Sequence, residues 1–474
     1  MHNSQQKDSL NQTQSIPGSL PHGASCVASK LFSVADDPRL KLTSAFDYST
    51  PCSQGDLCVV GIAADNTACG HYRLKFPLLE LERLGAEVRL AYVSDLSELD
   101  MRIFKNATHV ILSRCSDSDL FQVIRAYCNR EDITLIFDLD DCFHEIHPEN
   151  PAYAFYDPET EFGRTNIQNM ESHLQKADGV IFSTRELKAY YDYLTPYSHI
   201  LPNGLDLDMS LRNWDDPDKV AWKTAAESQG CRVQEDTVVL GWMGSITHIN
   251  DLKTIGPAVK QVLTQNPQAL LGMYCDVELA MHCCLTEWQL PMDSFFLIPP
   301  TSFDYYPEKI GSFDIGLSPL ENTVFNRCKS DLRLLEFGAQ GVPYVASKVA
   351  PYWRFHLQSQ GMGGFIATST QEWVEYINLL IRKKEERRIR GATLKSYVYN
   401  HCSVRNSAST LVYTLKTIRE NSYSFTKAPA AVLMQDTYQG IPRPQKHYAP
   451  TDDCPCGSAQ VYDRCSRNCA PAWG

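Results

Sequence analysis

No apolar run in the 474 residues approaches the length needed to cross a bilayer, and the opening stretch from Met1 to Leu20 is polar rather than charged and then apolar. The expectation is a cytoplasmic protein without a membrane span. Basic charge is also short: Lys and Arg number 44 against 56 Asp and Glu, a formal net charge of −12. That balance argues against a protein whose main work is gripping polyanions. A disulfide framework is missing as well. The 17 cysteines are odd in number, and Cys58, Cys275 and Cys283 sit in apolar surroundings that suit reduced core thiols. No short-period repeat is visible, which excludes a solenoid.

What is present is a βα alternation, twice over. The chain is too long for one core, so two domains of roughly 150 to 200 residues with tails are expected. Residues 1–50, rich in Ser, Gln, Asn, Thr and Pro, read as a flexible extension. Strand patterns at 57–63, 87–93, 109–113, 134–139 and 179–183 make the first half, 51–206, a parallel sheet covered on both faces. Pro202-Asn203-Gly204 closes it with a turn. A Trp-containing stretch, 207–236, is expected to pack between the domains. The alternation restarts over 237–400, with strands at 237–242, 269–274, 294–298, 313–318 and 343–346 and a helical run over 371–400. Residues 401–425 form a further helix, 426–450 a linker and 451–474 a small terminal unit.

Residues 326–347 organise the second half. Ser330 is placed as the N-cap of a helix over 330–340, which Gly341 ends before a strand. Lys329 stands just outside that helix and Arg333 one turn in, so a phosphate at its N-terminus would meet three sources of positive potential. Glu336 shares the Arg333 face and suits a ribose hydroxyl. Gly241, Gly244 and Ser245, with His248, form a loop after a strand whose glycines suit close backbone approach to a diphosphate. In the first half, Asp138, Asp140 and Asp141 end a strand, at the edge where open α/β sheets bind ligands. One of these acids would orient a hydroxyl or act as a base; a Mg²⁺ site and a capping role are the alternatives. Gly70, His71 and Arg73 lie in the loop after the first strand and face the same edge.

These segments, in this order, resemble the glycosyltransferase family 4 type (glycosyl transferases group 1). The resemblance implies an α/β GT-B fold, two Rossmann-like domains facing across a cleft. That family's Glu-x7-Glu motif is matched here at Glu336, with Cys328 at the first position. Asn326, Lys329, Ser330, Arg333 and Glu336 with Gly241, Gly244, Ser245 and His248 would bind a nucleotide-diphosphate sugar. Asp140, Asp141, Lys329 and Arg333 would carry catalysis, with no catalytic metal. Gly70, His71, Arg73 and Asp138 would line the acceptor side. The acceptor itself, whether glycan, lipid, protein or nucleobase, is not encoded in these motifs. Cys454, Cys456, Cys465 and Cys469 resemble the SEC-C zinc motif and would hold a structural Zn²⁺ in a knuckle that docks a protein partner. The alternatives are a non-catalytic GT-B scaffold and a sugar-nucleotide epimerase.

Overall fold

The computed structural model of the protein describes residues 57–195, 197–208, 221–301 and 303–426. The strands β1 (Cys58–Ala63), β2 (Glu87–Tyr92), β3 (His109–Ser113), β4 (Thr134–Leu139), β5 (Gly179–Phe182) and β6 (Ser198–Ile200) form one sheet in the order β2-β1-β3-β4-β5-β6. A second sheet holds β7 (Val238–Met243), β8 (Ala269–Tyr274), β9 (Phe295–Ile298), β10 (Ile315–Ser318), β11 (Tyr344–Ser347) and β12 (Gly364–Ala367) in the order β9-β8-β7-β10-β11-β12. Every pairing is parallel. Strands buried on both faces, such as the wholly buried β1 and β7, need the continuous apolar runs seen in the sequence.

β6 and β12 were not foreseen. They are edge strands of three and four residues, too short to carry a readable period. The helical run over 371–400 is two helices, Thr370–Arg382 and Lys384–His401, broken at Lys383. Arg387 caps the break by donating to the Leu380 and Ile381 carbonyls. The described part of 207–236 also departs from expectation. Trp222, in the helix Ala221–Ser228, stacks on Phe296 of β9 at 5.9 Å, so this helix covers the second sheet instead of filling the space between domains.

The chain crosses between halves twice at one place. Leu205 N–H donates to Cys402 O at 2.9 Å, and Val404 N–H donates back to Leu205 O at 3.1 Å. Gly204 is required there, since a Cβ would lie 2.7 Å from the Val404 nitrogen. The helix Val404–Thr426 then returns to the first sheet, where His109 Nε2 meets Leu415 O at 3.1 Å and Arg419 donates to Thr108 O.

Candidate functional site

In an open parallel sheet, a crevice opens where neighbouring strands lead their connections to opposite faces. In the first sheet that point lies between β1 and β3, and in the second between β7 and β10. The segments following those strand ends, together with the turn after β4, meet across one cleft.

The first-sheet wall is acidic. Asp140 and Asp141 follow β4, and Arg114 follows β3 in a left-handed backbone conformation (φ 56°). Its Nε stands 3.5 Å from Asp140 Oδ1, an oxygen that is buried and accepts no hydrogen bond. Burial pushes the Asp140 carboxyl above its ordinary pKa; Arg114 opposes this and the Asp141 charge adds to it. Burial works against Asp141 too, yet Lys329 and Arg114 hold it below the usual carboxylate range. Two adjacent acids are thus driven apart, the pattern that separates a proton acceptor from a fixed charge.

The second-sheet wall is basic. Lys329 Nζ reaches across to Asp141 Oδ1 at 3.4 Å and lies 4.4 Å from the Phe325 ring centre. Arg333 donates to the Met243 carbonyl, beside Gly244, so the helix Leu332–Ala339 and the loop after β7 are brought together. His248 Nδ1 lies 2.7 Å from Asp251 Oδ2. Burial holds this imidazole below its ordinary pKa, so near neutral pH it carries no charge, and donation from Nδ1 leaves Nε2 with a lone pair. It therefore offers an acceptor for a hydroxyl and adds no cation for a phosphate.

Several expected residues are placed differently. Ser330 does not cap the helix: Asp331 holds that position with no side-chain bond, because Lys329 is extended between the helices Val324–Cys328 and Leu332–Ala339. Ser330 Oγ instead accepts from Asn203 Nδ2 at 2.9 Å across the cleft. Arg73 does not face an acceptor. It grips Asp138 through Nε at 3.1 Å and Nη2 at 2.6 Å, and gives Nη1 to Leu201 O and Asn203 Oδ1, with both charged side chains 1% exposed. This pair fastens the Pro202-Asn203-Gly204 turn to β4. Asn326 points inward as well, its Nδ2 shared by Asp251 Oδ1 and Glu321 O. Gly241 lies within β7, where a Cβ would fall 1.9 Å from the Phe313 ring, so its role is packing. The Gly244 N–H is bonded to Tyr274 O, leaving the exposed Ser245 and Thr247 hydroxyls, 2.6 Å apart, at the loop surface.

His71 stacks on Phe303 of the second half at 4.4 Å, and Gly70 sits so close to Asp65 O that a Cβ would lie 2.2 Å away. Glu336 is buried between two phenols, accepting from Tyr72 OH at 2.9 Å and Tyr306 OH at 3.1 Å. Burial raises its carboxyl above the ordinary value. Cys328 is buried in the first-half core, in the same apolar cluster as Cys142. Tyr72, Asn203, Arg114 and Tyr306 were not singled out as site residues. Asn203 had a signal in the turn motif; Arg114 had none, since its partners Asp140 and Phe143 are distant in sequence. Cys454, Cys456, Cys465 and Cys469 lie outside the described residues, as do residues 1–50 and 427–474. Among the described residues no helix is long and apolar enough to cross a membrane.

No known protein-family model matches the chain. Among solved structures, HepE of Anabaena in complex with UDP-glucose superposes with a TM-score of 0.55 at 14% identity, over 76% of this chain and 100% of that one. Sucrose-phosphate synthase of Thermosynechococcus elongatus gives 0.52 at 12% identity, over 76% and 99%. The fold is GT-B. A curated relative, the putative teichuronic acid biosynthesis glycosyltransferase TuaH of Bacillus subtilis strain 168, is 28% identical over 200 residues, 40% of this chain and 45% of that protein. The chain thus matches under half the length of that relative. In GT-B terms, the acidic wall belongs to the first domain and the basic wall to the second.

Proposed function

We propose that the protein is a glycosyltransferase that moves a sugar from a nucleotide-diphosphate donor to an acceptor hydroxyl. The observation that carries this reading is the opposition across the cleft of Lys329 and Arg333, beside a helix N-terminus, to the split pair Asp140 and Asp141. The cations and the helix tip would neutralise the leaving diphosphate where its charge develops. Asp140 would take or orient the acceptor proton, and Asp141 would keep Lys329 in the cleft. Glu336 would turn from its phenols to the ribose when the nucleotide enters. The family 4 assignment rests on Glu336 and its neighbours, and TuaH, a glycosyltransferase by name, supports the class.

The test is incubation with a panel of labelled nucleotide sugars. Slow donor hydrolysis that disappears in Lys329→Ala and Glu336→Ala supports the transferase. Turnover of the donor sugar without hydrolysis or acceptor marks an epimerase, and silence with no nucleotide binding marks a scaffold. The zinc knuckle is a separate proposal: the full chain should carry about one Zn²⁺, on the rule of one ion per four-ligand site, and lose it in Cys454→Ser/Cys456→Ser. Zinc content unchanged by that substitution would sink it.

A further inference from the structure

Between β4 and the helix Glu161–Lys176 the chain makes an excursion that the transferase reading does not use. It exposes two large rings side by side: Phe155 is 50% exposed and Phe162 58%, with centres 6.1 Å apart. Single exposed apolar side chains need no explanation; here two lie in contact with each other. The support here is rigid. Asn150 Oδ1 accepts from Ala152 N at 3.0 Å, Thr160 Oγ1 from Gly163 N at 3.0 Å, and Asn166 Nδ2 donates to Phe155 O at 2.8 Å. Gly163 is locked against Asp157, where a Cβ would lie 2.1 Å from its carbonyl oxygen.

The excursion leads directly to the acidic wall. Tyr156, next to Phe155, stacks on Phe143 at 4.6 Å; Arg114 lies over the same Phe143 ring at 5.5 Å and beside Asp140. At its other end, Asn150 Nδ2 donates to Thr247 O of the loop after β7 at 3.2 Å. The segment that carries the shelf therefore touches both walls of the cleft, through Tyr156 at one and Asn150 at the other. Its charge selects among occupants: residues 155–166 hold three acids, Asp157, Glu159 and Glu161, against Arg164, a net of −2. Arg164 is turned back onto Pro158 O. An anionic lipid surface or a polyanionic glycan would be repelled.

We propose that the acceptor is a neutral saccharide that lies on the Phe155 and Phe162 shelf with its receiving hydroxyl toward Asp140. The C–H face of a pyranose is apolar and packs on an aromatic ring, while its hydroxyls stay in water or meet the acidic rim. This rests on the transferase reading, but the two are separable by experiment. Saturation-transfer NMR on the full chain with cellotriose, maltotriose and chitotriose should show binding of at least one, weakened about tenfold or more in Phe155→Ala/Phe162→Ala, as the loss of an aromatic contact implies. Both rings are exposed, so melting should not change; Phe162→Leu, which keeps apolar area and loses the flat face, gives a second check. Trigalacturonate and phosphatidylserine vesicles should not bind, and Glu159→Lys/Glu161→Lys should admit trigalacturonate. No binding of any neutral trisaccharide, binding indifferent to both rings, or preference for the vesicles would overturn the shelf. Saccharide binding without any nucleotide-sugar binding would leave the shelf standing and remove the transferase.

Discussion

The two sheets use the same parts in different orders. The first runs 2-1-3-4-5-6 and the second, counted from its own first strand, 3-2-1-4-5-6, so each has its crevice beside its first strand but with a different neighbour on the far side. Each crevice receives the opposite charge. Beside β1, Arg73 is bound to Asp138 within the wall and the acids Asp140 and Asp141 are left at the surface of the cleft. Beside β7, the acid Glu336 is covered by phenols and the cations Lys329 and Arg333 line the gap. The difference lies in which charge has been neutralised from behind, more than in which charges are present.

The comparison can be broken most severely at Arg73. Removing it in Arg73→Ala leaves Asp138 buried and uncompensated, and should cost about 3–5 kcal/mol of stability, read by urea or thermal melting. A loss under 1 kcal/mol would mean that the pair is solvated and the wall is not fastened this way. Lys329→Ala and Arg333→Ala should melt nearly normally yet lose about 10²- to 10³-fold in donor turnover, the usual cost of one charge-stabilising donor. Equal losses of fold and turnover in both Arg73 and Arg333 variants would erase the contrast between the walls.

The acid wall is sharpened by pH. Asp140 is raised by burial, and a base must be ionised, so turnover should fall as pH drops through a value above the ordinary aspartate range. Asp141, held low by Lys329 and Arg114, stays charged through that window and keeps its cross-cleft contact. Asp140→Asn should abolish the limb; a limb that survives there belongs to another group. The smallest effect is expected at Tyr72→Phe, which removes one of two hydrogen bonds to Glu336 and should cost about 0.5–1.5 kcal/mol, read by urea or thermal melting.

Most of the sheet architecture was legible because the central strands are buried on both faces and announce themselves as apolar runs; only the short edge strands β6 and β12 escaped. Residues 326–336 lie on two short helices and the turn between them, and several of them were misread singly. Ser330 has the chemistry of an N-cap, and local pattern has no means of showing that Asn203, 127 positions earlier, claims its hydroxyl oxygen. Arg73 and Arg333 look alike in sequence, each an arginine beside apolar helix positions. One ends as a buried brace and the other stands in the cleft.

From its residues alone, the chain dictated alternating strands and helices in two series, a turn at Gly204 where the first half ends, a basic segment and an acidic one. Those features follow from periodicity, backbone freedom and local composition, which act over a few residues. Tertiary structure alone decided which ionisable groups were spent on each other and which were left for a ligand. Desolvation and Coulomb pairing depend on neighbours brought close by folding, such as Asp138 for Arg73 or the two phenols for Glu336, and no local stretch of the chain contains both members of those sets.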